Sequence, residues 1–188
     1  MNFDLREYRL IYKNVINNAL LDKITAHTHN ANIIKHSYAD YNQNPSSNDD
    51  QEFDVCYISE EIWPEMEKII WNCLQSYCTT VGDFIQKGMR WNGFTIPRIN
   101  IYNKNTIMSE HVDHIHNIFD GERKGIPTFT VLGLIKNAEE GGEFILWGEE
   151  VVNMEHGDII IFPSNFMYKH RVDKILKGQR ISFVSWAW

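Results

Sequence analysis

From Gly88 to the C-terminus the chain breaks into short apolar runs separated by turn residues, and this rhythm constrains the fold more than any other feature. Runs of this length and spacing belong to an all-β sandwich or barrel. Strands are expected near residues 95–102, 109–113, 128–134, 143–147, 150–153, 158–162, 168–172 and 181–186. Eight short strands in two sheets make a jelly roll. The segments Asn137 to Gly142 and Glu155 to Asp158 carry the Asn, Asp and Gly that turns favour.

The N-terminal half reads differently. Tyr8 to Tyr12 suggests a short strand. Asn17 or Asn18 can cap a helix whose apolar positions Leu20, Leu21 and Ile24 recur every three to four residues, with His27 and His29 as polar residues at its end. Ser59 is placed to cap a second helix with the stripe Ile62, Met66, Ile69, Ile70, Cys73, Leu74 and Tyr77, and Pro64 falls in its tolerant first turn. The stripe puts Cys73 inward. Residues 40–54 lose almost all apolar side chains and read as a loop, a candidate lid. The expected organisation is one domain over residues 1–188, mainly β with supporting helices: helical support and a loop over 1–90, and the jelly-roll core over 91–188.

At 188 residues and 43% hydrophobic content, the chain can bury a sizeable core. Its formal charge of −7 argues against a general grip on nucleic-acid phosphates. No apolar run is long enough to span a bilayer, and the first residues lack a signal-peptide pattern. Cys56, Cys73 and Cys78 are odd in number and form no C-x-x-C, which predicts free thiols in a reducing, cytoplasmic compartment (the host's, if the source is viral).

Within the strand-rich half, His111-Val112-Asp113 is the candidate for chemistry. On an extended strand residues i and i+2 share a face, so this pair can grip one ion. His170 lies far downstream. Two histidines and one carboxylate on one face of a metal form the facial triad of non-haem Fe(II) oxygenases. Ten residues after His170 stands Arg180, whose guanidinium can clamp a carboxylate in a two-pronged pair.

These residues and their flanks run in the order Arg98-Ile99-Asn100-Ile101-Tyr102, His111-Val112-Asp113, Gly141-Gly142-Glu143-Phe144, Gly157-Asp158 with the apolar run to Pro163, His170-Arg171-Val172 and Arg180-Ile181-Ser182-Phe183. So arranged, the sequence resembles the 2-oxoglutarate- and Fe(II)-dependent oxygenases, and within them the prolyl-4-hydroxylase-like branch of small bacterial and viral members. The resemblance is dense from about Trp91 to Trp188 and loose before it. It implies a double-stranded β-helix and an iron site of His111, Asp113 and His170. It implies an anchor for the distal carboxylate of 2-oxoglutarate at Arg180, with Tyr102 and Ser182 as helpers. It further implies Fe(II), 2-oxoglutarate and O2, with ascorbate as reductant, and a proline-containing peptide or protein as substrate. The segment 117–125, which contains Gly121 and Gly125, is a second candidate lid.

Competing candidates are weaker. His156-Gly157-Asp158 repeats the His-x-Asp pattern, but its glycine marks a turn and it lies only 12 residues before His170. His114 and His116 fall on the opposite strand face from His111 and Asp113; they suit a rim position better than a zinc site. Trp147, Trp186 and Trp188 read as core. Two other function classes stay open: the same chemistry on a small molecule or nucleobase, and a non-catalytic metal-binding β-sandwich. Retention of Arg180 favours an enzyme.

Overall fold

The computed structural model describes residues 4–36, 38–39, 45–46, 53–81, 91–113 and 127–188. A 3-10 turn over Leu5–Tyr8, capped by the Asp4 side chain, leads into β1 (Leu10–Tyr12). Asn17 closes the N-terminus of α1 (Asn18–Thr28) by accepting the Leu20 amide at 2.9 Å. Short strands β2 (Ile34–Lys35), β3 (Tyr38–Ala39), β4 (Pro45–Ser46) and β5 (Asp54–Tyr57) precede α2 (Trp63–Val81). The C-terminal half supplies β6 (Arg98–Tyr102), β7 (Met108–His111), β8 (Phe129–Lys136), β9 (Glu140–Gly141), β10 (Phe144–Leu146) and β11 (Glu150–Val151). It continues with β12 (Ile159–Pro163), β13 (His170–Val172), β14 (Ile175–Lys177) and β15 (Arg180–Ala187).

The strands form a seven-stranded sheet in the order β1-β12-β8-β15-β6-β5-β2 and a four-stranded sheet in the order β11-β10-β13-β7. Two small pairs, β14 with β9 and β3 with β4, complete the set, and every pairing is antiparallel. This is the expected jelly roll with helices on one side.

Side-chain alternation divides the large sheet into two apolar faces. Ile99, Ile101, Val131, Ile159, Ile161, Ile181 and Phe183 point to one side, where they pack with Leu20, Ile24, Met66, Ile70 and Tyr77 of the helices. Tyr102, Leu132, Leu134, Ile160 and Phe162 point to the other side, among Phe144, Leu146 and Val172 of the small sheet. Removing so many branched side chains from water drives the two layers together at ~25 cal/mol per Å² of apolar surface. Gly133 sits on the helix side of β8, directly opposite Phe183 of β15, where a Cβ would come within 2.0 Å of the Phe183 ring.

Several expected boundaries shift. The first strand begins at Leu10 rather than Tyr8, because the residues before it close the 3-10 turn. The second helix begins at Trp63; Ser59 lies one turn earlier, and its backbone carbonyl accepts the Ile62 and Trp63 amides. The stripe on α2 otherwise falls as expected, with Cys73 buried. Asp54, read as the end of a loop, opens β5, which pairs with β6. Most of the candidate lid at 40–54, and all of that at 117–125, lie outside the described residues, as do His114 and His116.

Candidate metal centre

The last residue of β7, His111, is the register partner of the first residue of β13, His170. Their ring centroids stand 4.3 Å apart. Asp113 falls two residues past the end of β7, not on the strand as the His-x-Asp argument assumed. It still turns to the same site, because its Oδ2 accepts a 2.7 Å hydrogen bond from Thr130 Oγ1 on β8. The Thr130 hydroxyl also lies 2.7 Å from that of Ser164. One ligand atom each from His111, Asp113 and His170 gathers within 4.8 Å of the others, the one such group among the described residues.

The imidazoles are oriented for this arrangement. His111 Nδ1 donates to the Ser109 carbonyl at 2.9 Å, and His170 Nδ1 donates to the Tyr168 carbonyl at 3.0 Å. A carbonyl can only accept, so in both rings Nδ1 carries a proton, which leaves Nε2 as the nitrogen for a metal. Both Nε2 atoms face the same carboxylate, His111 at 3.5 Å and His170 at 3.8 Å. Burial opposes the negative charge of Asp113, but His170, His111 and the Thr130 hydroxyl outweigh it and hold the carboxyl well below its usual range. Burial pushes the His170 imidazole below its usual range, only partly offset by Asp113. A carboxylate with two imidazoles that turn Nε2 toward it is a donor set that fits a divalent first-row metal. Phe144 and Phe162 wall the His170 ring at 5.5 and 5.3 Å between centroids.

The other end of the same inner face is cationic. Arg180 opens β15, is the register partner of Tyr102 on β6, and is only 2% exposed. Its guanidinium carbon lies 5.5 Å from the Tyr102 ring centroid. Arg180 Nη1 has no hydrogen-bond partner, nor has the buried Ser182 hydroxyl two residues along. Burial lowers the Arg180 pKa, and burial raises that of Tyr102. A guanidinium stays charged in a protein, so an unbonded nitrogen on a buried one calls for an anion. A carboxylate fits that need together with the hydroxyl. Arg180, Ser182 and Tyr102, singled out separately in the sequence, therefore share one corner. A cavity of about 170 Å³ adjoins it, lined by Leu134, Gly142, Phe144, Val152, Met154 and Arg180 among others. Phe144 belongs to both this cavity and the surroundings of His170.

His156 is exposed and apart from this site. Gly157 beside it has φ +90°, and a Cβ there would press to 2.7 Å from the Ile16 carbonyl. Asp158 is engaged by the Asn14 and Glu155 amides and by Lys13, each at 2.8 Å. His27 bonds to the Tyr57 carbonyl at 2.9 Å. Trp147 Nε1 donates to the Met167 carbonyl, and Trp188 packs on Gly93. All three tryptophans read as core are only half-buried, Trp147 packing at the edge of the inner core. The register partner of Trp186 is Thr130, its Nε1 has no hydrogen-bond partner, and the Arg98 guanidinium lies 5.2 Å from its ring centroid. Thr130 was not singled out beforehand, and Arg98 and Asn100 entered only as members of the run before Tyr102, with no role assigned. Their one signal is a polar side chain at an inner-face position of an apolar strand.

Residues 97–188 match the 2OG-Fe(II) oxygenase superfamily. A PKHD-type hydroxylase of Prochlorococcus marinus is 38% identical over 79 residues, covering 39% of this chain and 34% of the relative. A PKHD-type hydroxylase of Idiomarina loihiensis is 32% identical over 107 residues, covering 55% and 46%. The chain thus spans less than half the length of these relatives. The viral collagen prolyl hydroxylase of Paramecium Bursaria Chlorella virus-1 shares the fold at TM-score 0.65 and 14% identity, over 96% of this chain and 94% of that one. A Pseudomonas putida prolyl-4-hydroxylase does so at 0.68 and 12%, over 96% and 92%. A Trichoplax adhaerens prolyl hydroxylase, solved with a hypoxia inducible factor peptide fragment, does so at 0.67 and 16%, over 97% and 84%.

Proposed function

Residues 97–188 belong to the 2OG-Fe(II) oxygenase superfamily, and from that premise we propose that the protein is an Fe(II)- and 2-oxoglutarate-dependent dioxygenase that hydroxylates a C–H bond in a proline-containing peptide or protein. The observation that carries this reading is the pairing of two chemistries in one sandwich. A His-Asp-His cluster gathers within 4.8 Å, and a buried guanidinium with an unbonded nitrogen opens β15 of the large sheet.

His111 Nε2, Asp113 and His170 Nε2 would hold the iron. Bound there, Fe(II) couples the oxidative decarboxylation of 2-oxoglutarate by O2 to hydroxylation of the substrate. With only three protein groups to hold it, the metal would remain accessible to co-substrate and oxygen. Arg180 fixes the distal carboxylate of 2-oxoglutarate by charge-assisted bonds, with Ser182 and Tyr102 as further donors. Thr130 holds Asp113 in place, and Phe144 and Phe162 keep water from His170. Ascorbate serves as the reductant that keeps iron ferrous.

The peptide assignment draws on likeness to prolyl hydroxylases, one of them solved with a peptide. The half-buried Arg98–Trp186 pair beside Thr130 offers a ring and a guanidinium to such a chain at the metal end. The free thiols of Cys56, Cys73 and Cys78 support the cytoplasm as compartment; among the described residues no helix is long and apolar enough to cross a membrane.

The test is to incubate the protein with Fe(II), ascorbate, 2-oxoglutarate and proline-containing peptides. Succinate formation and a gain of one oxygen on a peptide are expected. Succinate without any modified peptide, alongside oxidation of a small molecule, would overturn the peptide assignment and leave the dioxygenase standing. No conversion of 2-oxoglutarate would overturn both.

A further inference from the structure

We propose that Asn100 is a positioning residue that presents the hydroxyl of Tyr102 as a hydrogen-bond donor to the distal carboxylate of the co-substrate. This rests on the reading of Arg180 and Tyr102 as the co-substrate corner. Asn100 is 2% exposed and stands on β6 between Arg98 and Tyr102, opposite Ser182 of β15. All of these polar residues share the inner face of the large sheet.

The carboxamide orientation follows from its neighbours. Arg98 Nε can only donate, and it lies 3.1 Å from Asn100 Oδ1. That contact turns Nδ2 the other way, 3.4 Å from the Tyr102 oxygen, which therefore accepts. With its oxygen already accepting, Tyr102 directs its own proton elsewhere, and here it points to Met108 Sδ at 3.1 Å. A thioether is a weak acceptor. A carboxylate held by Arg180 is a strong one and displaces it. Arg98 is in turn steadied over the Trp186 ring at 5.2 Å. A line of contacts thus runs from the metal end, through Arg98 and Asn100, to the hydroxyl beside Arg180. Shape alone does not require a carboxamide here, since leucine has the same branched arrangement of side-chain heavy atoms.

The test is a calorimetric titration of 2-oxoglutarate into the Mn(II)-loaded full chain, without O2 or turnover. The proteins compared are wild type, Asn100→Leu, Asn100→Asp, Tyr102→Phe and Asn100→Leu combined with Tyr102→Phe. Losing one ordinary hydrogen bond predicts about two- to tenfold weaker binding for Asn100→Leu. In the Tyr102→Phe background the same change should shift affinity by less than about twofold, because coupled residues are not additive. Asn100→Asp keeps the shape but accepts the Tyr102 proton, so it should weaken binding at least as much. Unchanged affinity in Asn100→Leu, or an equal loss with and without the Tyr102 hydroxyl, would overturn the role. Should Asn100→Leu not fold, unchanged affinity in Asn100→Asp overturns it alone. A wild type that binds no 2-oxoglutarate overturns the underlying reading and this inference with it; a wild type that binds while the variants match it overturns the positioning role only.

Discussion

His111 and His170 face each other across neighbouring strands, and each gives its Nδ1 proton to the carbonyl two residues before it. The backbone thereby sets both tautomers before any metal arrives. His111→Ala or His170→Ala should weaken Mn(II) or Fe(II) binding by more than the roughly 10–100-fold that loss of a supporting partner costs. Thr130→Val, which removes the donor to Asp113, should fall within that range, and His156→Ala should change nothing. Equilibrium dialysis with metal analysis checks all four. A His156→Ala protein that no longer binds metal would refute the ligand set.

Arg180→Met should keep the metal and lose the co-substrate. The aliphatic stem still packs against Gly142 and Tyr102, but the charged contact is gone. A hydrogen bond to a charged group contributes roughly 1.5–3 kcal/mol. The KM for 2-oxoglutarate should therefore rise about ten- to a hundredfold with metal content unchanged. An unaltered 2-oxoglutarate dependence would remove Arg180 from the co-substrate site.

Asp158 contributes to stability rather than to chemistry. Burial works against its charge, yet the Glu155 and Asn14 amides and Lys13 prevail and hold its carboxyl below the usual range. A carboxyl whose folded pKa is lowered adds stability above its unfolded pKa, and that stability disappears as the pH falls through the folded value. Asp158→Ala should be destabilised by roughly 1.5–3 kcal/mol at neutral pH. The gap to wild type should narrow below about pH 4. Urea melts at several pH values measure this, and a pH-independent gap would contradict it.

Gly133→Ala should destabilise the protein by about 1–3 kcal/mol, since the new methyl enters the Phe183 ring within a packed layer. Phe183→Leu in the same chain should recover part of the loss, and metal affinity should be unaffected because the contact faces the helices. Thermal melts and metal titrations together check it. Equal stability of Gly133→Ala and wild type would mean that this layer yields more readily than its packing implies.

The two helices and the eight expected strands were legible because each follows a simple period: the stripe from Ile62 to Tyr77, and the short apolar runs after Gly88. The short strands β2, β9 and β14 were not, since two or three residues carry no period, and their existence depends on partners far away in sequence. His111, Asp113, His170 and Arg180 stood out through residue type and order. Asp113 reached the site for a different reason than expected. Strand alternation did not carry it there; its carboxylate bonds to Thr130, a residue of another strand that no local pattern indicates. Asn100 and Arg98 were illegible for the same reason, because their meaning lies in what β15 places opposite them.

β15 hydrogen-bonds to both β6 and β8 while carrying Arg180, Ser182 and Trp186 on one face and Ile181 and Phe183 on the other. A slip of one residue in this strand would exchange the two sets at once. The corner formed by Arg180, Ser182 and Tyr102 therefore cannot drift by degrees as the gene changes. A deletion or insertion between Arg180 and Trp186 would send the guanidinium or the indole into the oily layer beneath the helices, so a change in length here should cost more than any single substitution.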